Sequence, residues 1–221
     1  MKVFIGVGHG GSDPGAVANG VKEKDLNLSI ALACRDVLKR HGVEVKMSRT
    51  KDENDPLSEE IKECNAYDPD LAVDIHNNAG GGDGAEVFHH HGGGKGKTLA
   101  ENILSEIAKV GQNSRGTKIR KNSQGKDYYG FIRQTSAPAV IVECAFVDNA
   151  SDLKILASES DKKSMGEAIA KGILKTLGVA IQSEKASLYR VQVGAYLLKS
   201  NAEAMQKKIK AVGFDAFIVK E

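Results

Sequence analysis

Hydrophobic and polar positions along this chain alternate between a period of two and a period of three to four. Residues 3–7 are a short apolar run that breaks at Gly8-His9-Gly10-Gly11, which predicts a buried strand ending in a tight turn. From Glu23 to Arg40, Leu26, Ile30, Ala33, Val37 and Leu38 recur at helical spacing, and Lys39, Arg40 and His41 before Gly42 mark the helix end. Residues 43–47 predict a strand. A polar loop follows around Asn54-Asp55-Pro56, and residues 57–66 predict a second helix, stopped by Asp68-Pro69-Asp70. Residues 71–75 are again a strand and, like the first, they end on a histidine, His76. Residues 86–90 predict a further strand, and residues 97–110 a helix with Leu99, Ile103, Leu104 and Ile107 on one face. Residues 112–133 are polar, carry Tyr128 and Tyr129, and read as a loop bordering a site. Residues 139–142 form the most apolar strand and deliver Glu143 at its end, and residues 162–177 close the series as a helix.

Strands alternating with helices imply an α/β layer fold with a mostly parallel or mixed sheet. Ligand sites in such sheets collect at the carboxyl ends of strands, where His9, His76 and Glu143 all arrive. The pattern changes at Gly178. Residues 1–178 read as one domain, 179–187 as a small, polar linker, and 188–221 as a β-α-β module. In that module residues 189–193 and 214–219 are strands and residues 201–212 are a helix with Ala202, Met205, Ile209 and Val212 on one face. So short a tail is below the size at which a core usually suffices, so it is expected to lean on the main domain or on a second copy of itself.

Composition narrows the function classes. The 221 residues hold 31 Lys plus Arg against 29 Asp plus Glu, so the basic footprint of a nucleic-acid binder is missing. Cys34, Cys64 and Cys144 are far apart and form no C-x-x-C pair, which predicts reduced thiols rather than a thiolate metal site or a disulfide framework. No run approaches eighteen apolar residues, so no membrane partner is expected. Strand-like sequence begins at once, so the expected product is made in the cytoplasm without an export signal.

Candidate chemistry follows from the strand ends. Zinc in a catalytic site takes three protein ligands, commonly imidazole and carboxylate, and keeps one position open. His9 and His76 supply two. Glu23, opening the helix just after the glycine turn, is placed to supply the third, although at a helix start it also reads as a dipole partner. Glu143 is then left unliganded, as a general base beside a zinc site requires. The glycine turn matches neither G-x-G-x-x-G nor the lysine-bearing phosphate loop. His89-His90-His91 reads as a surface loop and Cys144 as a packed thiol.

Four motifs carry a resemblance over residues 1 to about 178. They are Gly8-His9-Gly10-Gly11-x-Asp13-x-Gly15-Ala16, Glu23 with Leu26 and Asn27, Asp74-Ile75-His76-Asn77-Asn78-Ala79, and residues 138–149 from Pro138 through Glu143 to Asn149. Together they resemble the zinc-dependent N-acetylmuramoyl-L-alanine amidases of the amidase-3 type, and Arg49-Thr50 is similar to the family pattern too. The resemblance implies a twisted mixed sheet flanked by helices. It also implies His9, Glu23 and His76 as zinc ligands, Glu143 as catalytic acid/base, Asn77 as a substrate contact, and bacterial peptidoglycan as substrate. Gly6-Val7 stands where the family commonly has an acidic-proline pair, and Asp74 where it usually has serine; neither is expected to touch a proposed ligand, so the expectation is that they bear on substrate detail rather than on the metal. A zinc carboxypeptidase or endopeptidase acting within the stem peptide, and a non-catalytic wall-binding protein, are the alternatives. The tail, from Tyr189-Arg190-Val191-Gln192-Val193-Gly194-Ala195-Tyr196 to Gly213-Phe214-Asp215-Ala216, resembles the first half of a SPOR peptidoglycan-binding domain. That implies glycan contacts near Gln192 and Tyr196, and the missing half implies weak self-association. The layout is similar to a phage endolysin, expected to reach the wall on release by phage or mother-cell lysis.

Overall fold

The computed structural model describes residues 1–181 and 192–220. The chain forms two compact units, Met1–Gln182 and Ser183–Glu221. Strands of the first unit, in chain order, are β1 (Lys2–Val7), β2 (Val17–Ala18), β3 (Val21–Lys22), β4 (Glu44–Met47), β5 (Leu71–Asn78), β6 (Ala85–His89), β7 (Ser114–Lys118) and β8 (Ala139–Phe146). Its helices are α1 (Glu23–Arg40), α2 (Leu57–Tyr67), α3 (Gly94–Ile107), α4 (Gly130–Gln134), α5 (Ala150–Ile155) and α6 (Glu159–Leu177).

The main sheet has the order β4-β1-β5-β8-β6-β7. β4, β1, β5 and β8 run parallel, β6 is antiparallel to β8, and β7 is parallel to β6. Both faces are covered, so the central strands are apolar almost throughout. Alternation along the strands sorts their side chains into two cores. Val3, Ile5, Val7, Val73, Ile75, Val140 and Val142 pack with α1, α3 and α6. Phe4, Ala72 and Ile141 face the other way, onto Ile61 and Cys64 of α2 and Phe131 and Ile132 of α4. The two cores hold the strands rigid as they approach the site.

Several boundaries differ from the sequence reading. The stretch 112–133, expected as loop, contains β7 and, with α4, is ordered at both ends. β7 reads Ser-Arg-Gly-Thr-Lys, a polar edge strand with no apolar alternation to reveal it, and α4 is too short to show a period. β5 and β8 run on past His76 and Glu143, so these residues lie inside their strands rather than at the ends. α6 begins at Glu159 because Ser158 and Asp161 form a capping box that fixes its start. Cys34, Cys64 and Cys144 are free and buried, as expected of packed thiols.

In the second unit the described residues contain one helix, α7 (Lys199–Ala211). Residues 214–219, expected as a strand, carry no ladder pairing. A strand needs a partner, and most of the one expected here, residues 189–191, lies outside the described residues. No helix among the described residues is long and apolar enough to cross a membrane.

Candidate metal centre and active site

The site is built around Glu23, the first residue of α1, whose side chain is buried. The chain reaches it through the glycine turn after β1 and the β2–β3 ribbon. Glu23 Oε2 accepts from the Ala16 N–H at 2.9 Å and lies 3.1 Å from His9 Nε2. Its Oε1 accepts from the Asn77 N–H at 3.1 Å and lies 3.0 Å from His76 Nδ1. Donor atoms of His9, Glu23 and His76 all fall within 4.8 Å of one another. The amino end of α1 adds its dipole to these donors and favours charge on the carboxylate.

Each imidazole is also held from behind. His9 Nδ1 is 2.8 Å from Asp13 Oδ2, and His76 Nε2 is 3.2 Å from Asp74 Oδ2. A carboxylate on the far nitrogen fixes the tautomer, which leaves His9 Nε2 and His76 Nδ1 to face Glu23. The bond to Glu23 raises the His9 pKa against the cost of burial, with Asp13 adding to it. Burial works against a charged His76, but Asp74 and Glu23 outweigh it and raise its pKa well above the ordinary value. Burial likewise opposes charge on Glu23, yet the bonds from His76 and His9 carry its pKa far below the usual carboxylate range.

The backbone is shaped to the same end. His9 has φ 63°, the left-handed region that costs a non-glycine residue about 1–3 kcal/mol, a strain found mostly at functional sites. A Cβ on Gly8 would sit 2.2 Å from His76 Cε1, and one on Gly15 would sit 2.6 Å from Glu23 Oε2. Arg49, buried behind the turn, donates to the carbonyls of Val7, Gly8, Lys24 and Lys51 at 2.9–3.2 Å and so fastens β1, the turn and α1 together. Sequence reasoning noted Arg49 only through the family pattern; four carbonyl acceptors drawn from three segments leave no local signal.

Asp74 corrects the expectation that the departures from the family pattern avoid the metal centre. It contacts His76, one of the expected ligands, directly. Gly6 is its register partner on β1, and a Cβ on Gly6 would lie 2.7 Å from Asp74 Oδ1 and 2.0 Å from Glu60 Oε1. The missing side chain on β1 therefore makes room for a carboxylate supplied by β5. Asp74→Asn is expected to weaken metal binding 10–100-fold, since outer carboxylates of this kind contribute that much. Competition against a chromophoric chelator checks it, and unchanged affinity would remove Asp74 from this role.

Glu143 is the register partner of His76 on β8. Its Oε2 is buried with no hydrogen-bond partner. Burial pushes its pKa up to about 7; nearby His76 opposes this, while the Glu23, Asp74 and Glu86 carboxylates reinforce it. A cleft of about 570 Å³ opens beside the centre, lined by His9, His76, Asp13, Asp74, Glu60 and Tyr129 among others. Tyr129 thus bears out a site-bordering role for its segment.

Other expected site residues fall elsewhere. Asn77, expected to touch substrate, is buried on the opposite face of β5, where it donates to Asn27 Oδ1 at 2.8 Å. Strand alternation sends it away from His76, and its N–H supports Glu23 instead. Gln192 and Tyr196 are exposed in the second unit but lie on no strand, so no sheet face presents them. Of the histidine triplet, His90 and His91 converge on Asp127.

The sequence profile described as N-acetylmuramoyl-L-alanine amidase, Amidase_3, matches residues 3–175. The chain belongs to this amidase family. It hydrolyses the amide between N-acetylmuramic acid and the L-alanine of the peptidoglycan stem, which sets aside the stem-peptidase and non-catalytic alternatives. N-acetylmuramoyl-L-alanine amidase CwlM of Bacillus licheniformis is 36% identical over 99% of this chain and 85% of its own length. An endolysin of Bacillus phage SPP1 is 35% identical over 82% of this chain and 68% of its own. Among solved structures, amidase AmiC2 of Nostoc punctiforme superposes with a TM-score of 0.73 at 31% identity, over 80% of this chain and 97% of that one. A SPOR domain profile matches residues 140–220, a span that begins inside β8 of the amidase sheet and runs through the tail. Peptidoglycan is therefore the partner on both counts.

Proposed function

We propose that His9 Nε2, Glu23 and His76 Nδ1 hold a zinc ion, and that Glu143 moves the proton during hydrolysis of the muramoyl–alanine amide. The carrying observation is that three donors meet, both imidazoles already oriented by carboxylates, beside a buried carboxylate oxygen with no partner. Two imidazoles and one carboxylate are a set that suits zinc and leaves a position open. When bound, the ion polarises the scissile carbonyl and acidifies water. Glu143 Oε2 takes the proton of the attacking water and returns it to the amide nitrogen, because an amine leaves poorly unprotonated. Burial raises the proton affinity of Glu143 in the metal-free fold, which suits a group that must both take and return a proton. Glu23 stays ionised and holds both histidines, while Arg49 and the glycines keep the turn open to a sugar–peptide junction.

The same reading assigns the second unit, through Gln192 and Tyr196, to retention on glycan strands. Supporting it are the SPOR match and the exposed apolar residues Leu198, Phe214 and Phe217. Digestion of purified sacculi with mass spectrometry tests both assignments. Intact stem peptides beginning with alanine are expected, lost on chelation and restored by zinc; cleavage that persists in chelator removes the metal. Gln192→Ala with Tyr196→Ala is expected to sediment less with wall while cleaving soluble fragments at the normal rate, and undiminished retention removes the tail assignment.

A further inference from the structure

A second cluster of metal-binding character lies outside the active site. β6 is antiparallel to β8, so its carboxyl end, with the turn that follows, points away from the end of the sheet where His9 and His76 gather. In that turn His90 Nε2 is 3.0 Å and His91 Nδ1 2.7 Å from the same oxygen, Asp127 Oδ2. The two rings lie at 31° with centroids 4.4 Å apart. Asp127 comes from the β7–α4 connection, where it bridges to Lys121, and its residue is only 3% exposed. Its other oxygen, Oδ1, accepts from the His91 N–H at 2.9 Å. Arg133 bonds the backbone carbonyl of Asp127, not its carboxylate. The carboxylate is thus buried and faces two imidazoles, and among the described residues no Lys or Arg side chain is hydrogen-bonded to it.

We propose that His90, His91 and Asp127 form a second metal site, which takes a late first-row divalent cation such as Zn²⁺ with water completing the shell. Two imidazoles and one carboxylate are the donors these ions prefer over magnesium or calcium. The three donor atoms lie within 4.8 Å of one another, as do those of His9, Glu23 and His76. Protons balance within the imidazoles. In the metal-free state His90 Nδ1 accepts from the Gly92 N–H at 3.0 Å, so its proton sits on Nε2 and is given to Asp127, and His91 gives its Nδ1 proton to the same oxygen. On binding, the ion replaces both protons at those nitrogens, and each ring carries its proton on the other nitrogen. His90 then gives up its bond from Gly92, whose N–H is exposed and turns to water.

The site ties the β6–α3 turn to the 119–129 segment. That segment leads directly into Tyr129, which packs on Phe88 and lines the cleft. An ion there would fasten the segment without touching the reaction.

The test is metal stoichiometry on the full chain, stripped with chelator and titrated with Zn²⁺ against a chromophoric competitor. Wild type is expected to bind two equivalents, the His90→Gln/His91→Gln double variant one, and His76→Ala one. Both His90 and His91 are exposed, so the double variant is expected to fold, and circular dichroism checks it. Zn²⁺ is also expected to raise the melting temperature of His76→Ala but not that of the same variant carrying His90→Gln and His91→Gln. A wild type binding one equivalent, lost in His76→Ala and kept in the double variant, overturns the second site and leaves the active-site reading intact. Two equivalents that survive in the double variant overturn it equally.

Discussion

Glu143→Gln is expected to slow amide hydrolysis by about 10²–10⁴ while zinc stays bound, because general acid–base transfer contributes on that scale and Glu143 is outside the ligand set. Equilibrium metal content and turnover on soluble muropeptide, measured side by side, separate the two roles; a variant with near-normal turnover, or one that has lost its zinc, sinks the assignment. The same substitution should move stability the opposite way. In the metal-free fold Glu143 has a pKa raised to about 7 by burial, against an ordinary 4.5. At pH 4 the group is protonated folded and unfolded, and contributes nothing. Between 4.5 and 7 the folded state keeps a proton the unfolded chain has released, so stability falls as pH rises. Above 7 the penalty is complete, on the order of 3 kcal/mol. Urea unfolding of metal-free Glu143→Gln should therefore show a gain over wild type at pH 8 that vanishes near pH 4. The trade of stability for a poised proton carrier is what active sites commonly show. A dication held by His9, Glu23 and His76 would draw this pKa back down, so the acid limb of the rate profile is expected below 7.

Gly8→Ala carries the second large expectation. Its Cβ would stand 2.2, 2.3 and 2.5 Å from Cε1, Nε2 and Nδ1 of His76, well inside contact distance. His76 has little freedom to retreat, with Asp74 on one nitrogen and Glu23 on the other. The outcome expected is at least a hundredfold loss of zinc affinity with about 1–3 kcal/mol of overpacking strain. Gly96→Ala is the control. Gly96 lies in α3, where an added Cβ would meet Ala139 O at an ordinary 3.5 Å, so the change is expected to be neutral or stabilising by up to about 1 kcal/mol. Chelator competition and thermal melts on both variants report the contrast, and equal zinc affinity in the two would end the steric argument.

How much of this was legible beforehand depends on the range of the interactions. The strands of the sheet centre and the long helices were readable because their periodicity lies in neighbouring residues. β7 and α4 were not, one being a polar edge strand and the other a single turn. His9, Glu23, His76 and Glu143 stood out because each closes an apolar run or opens a helix, where a polar residue is readable. The support around them was invisible: Arg49 binds carbonyls from three segments, Asp13 and Asp74 sit behind the histidines, and Asn77 turns inward by strand parity.

By itself the sequence determined the order of elements, the alternating α/β layering, the family and the four residues offered for chemistry, all of which reside in local pattern and motif. Only the tertiary structure decided that β5 and β8 run on past His76 and Glu143 and pair them in register, and which nitrogen of each histidine faces Glu23. It also showed that the bare backbone at Gly6 leaves room for Asp74 across the ladder, and that His91, with His90 beside it, meets a buried carboxylate 36 residues away in sequence. The physical reason is common to all of these. Register, tautomer and burial are set by partners distant in the chain, and no window of neighbouring residues contains them.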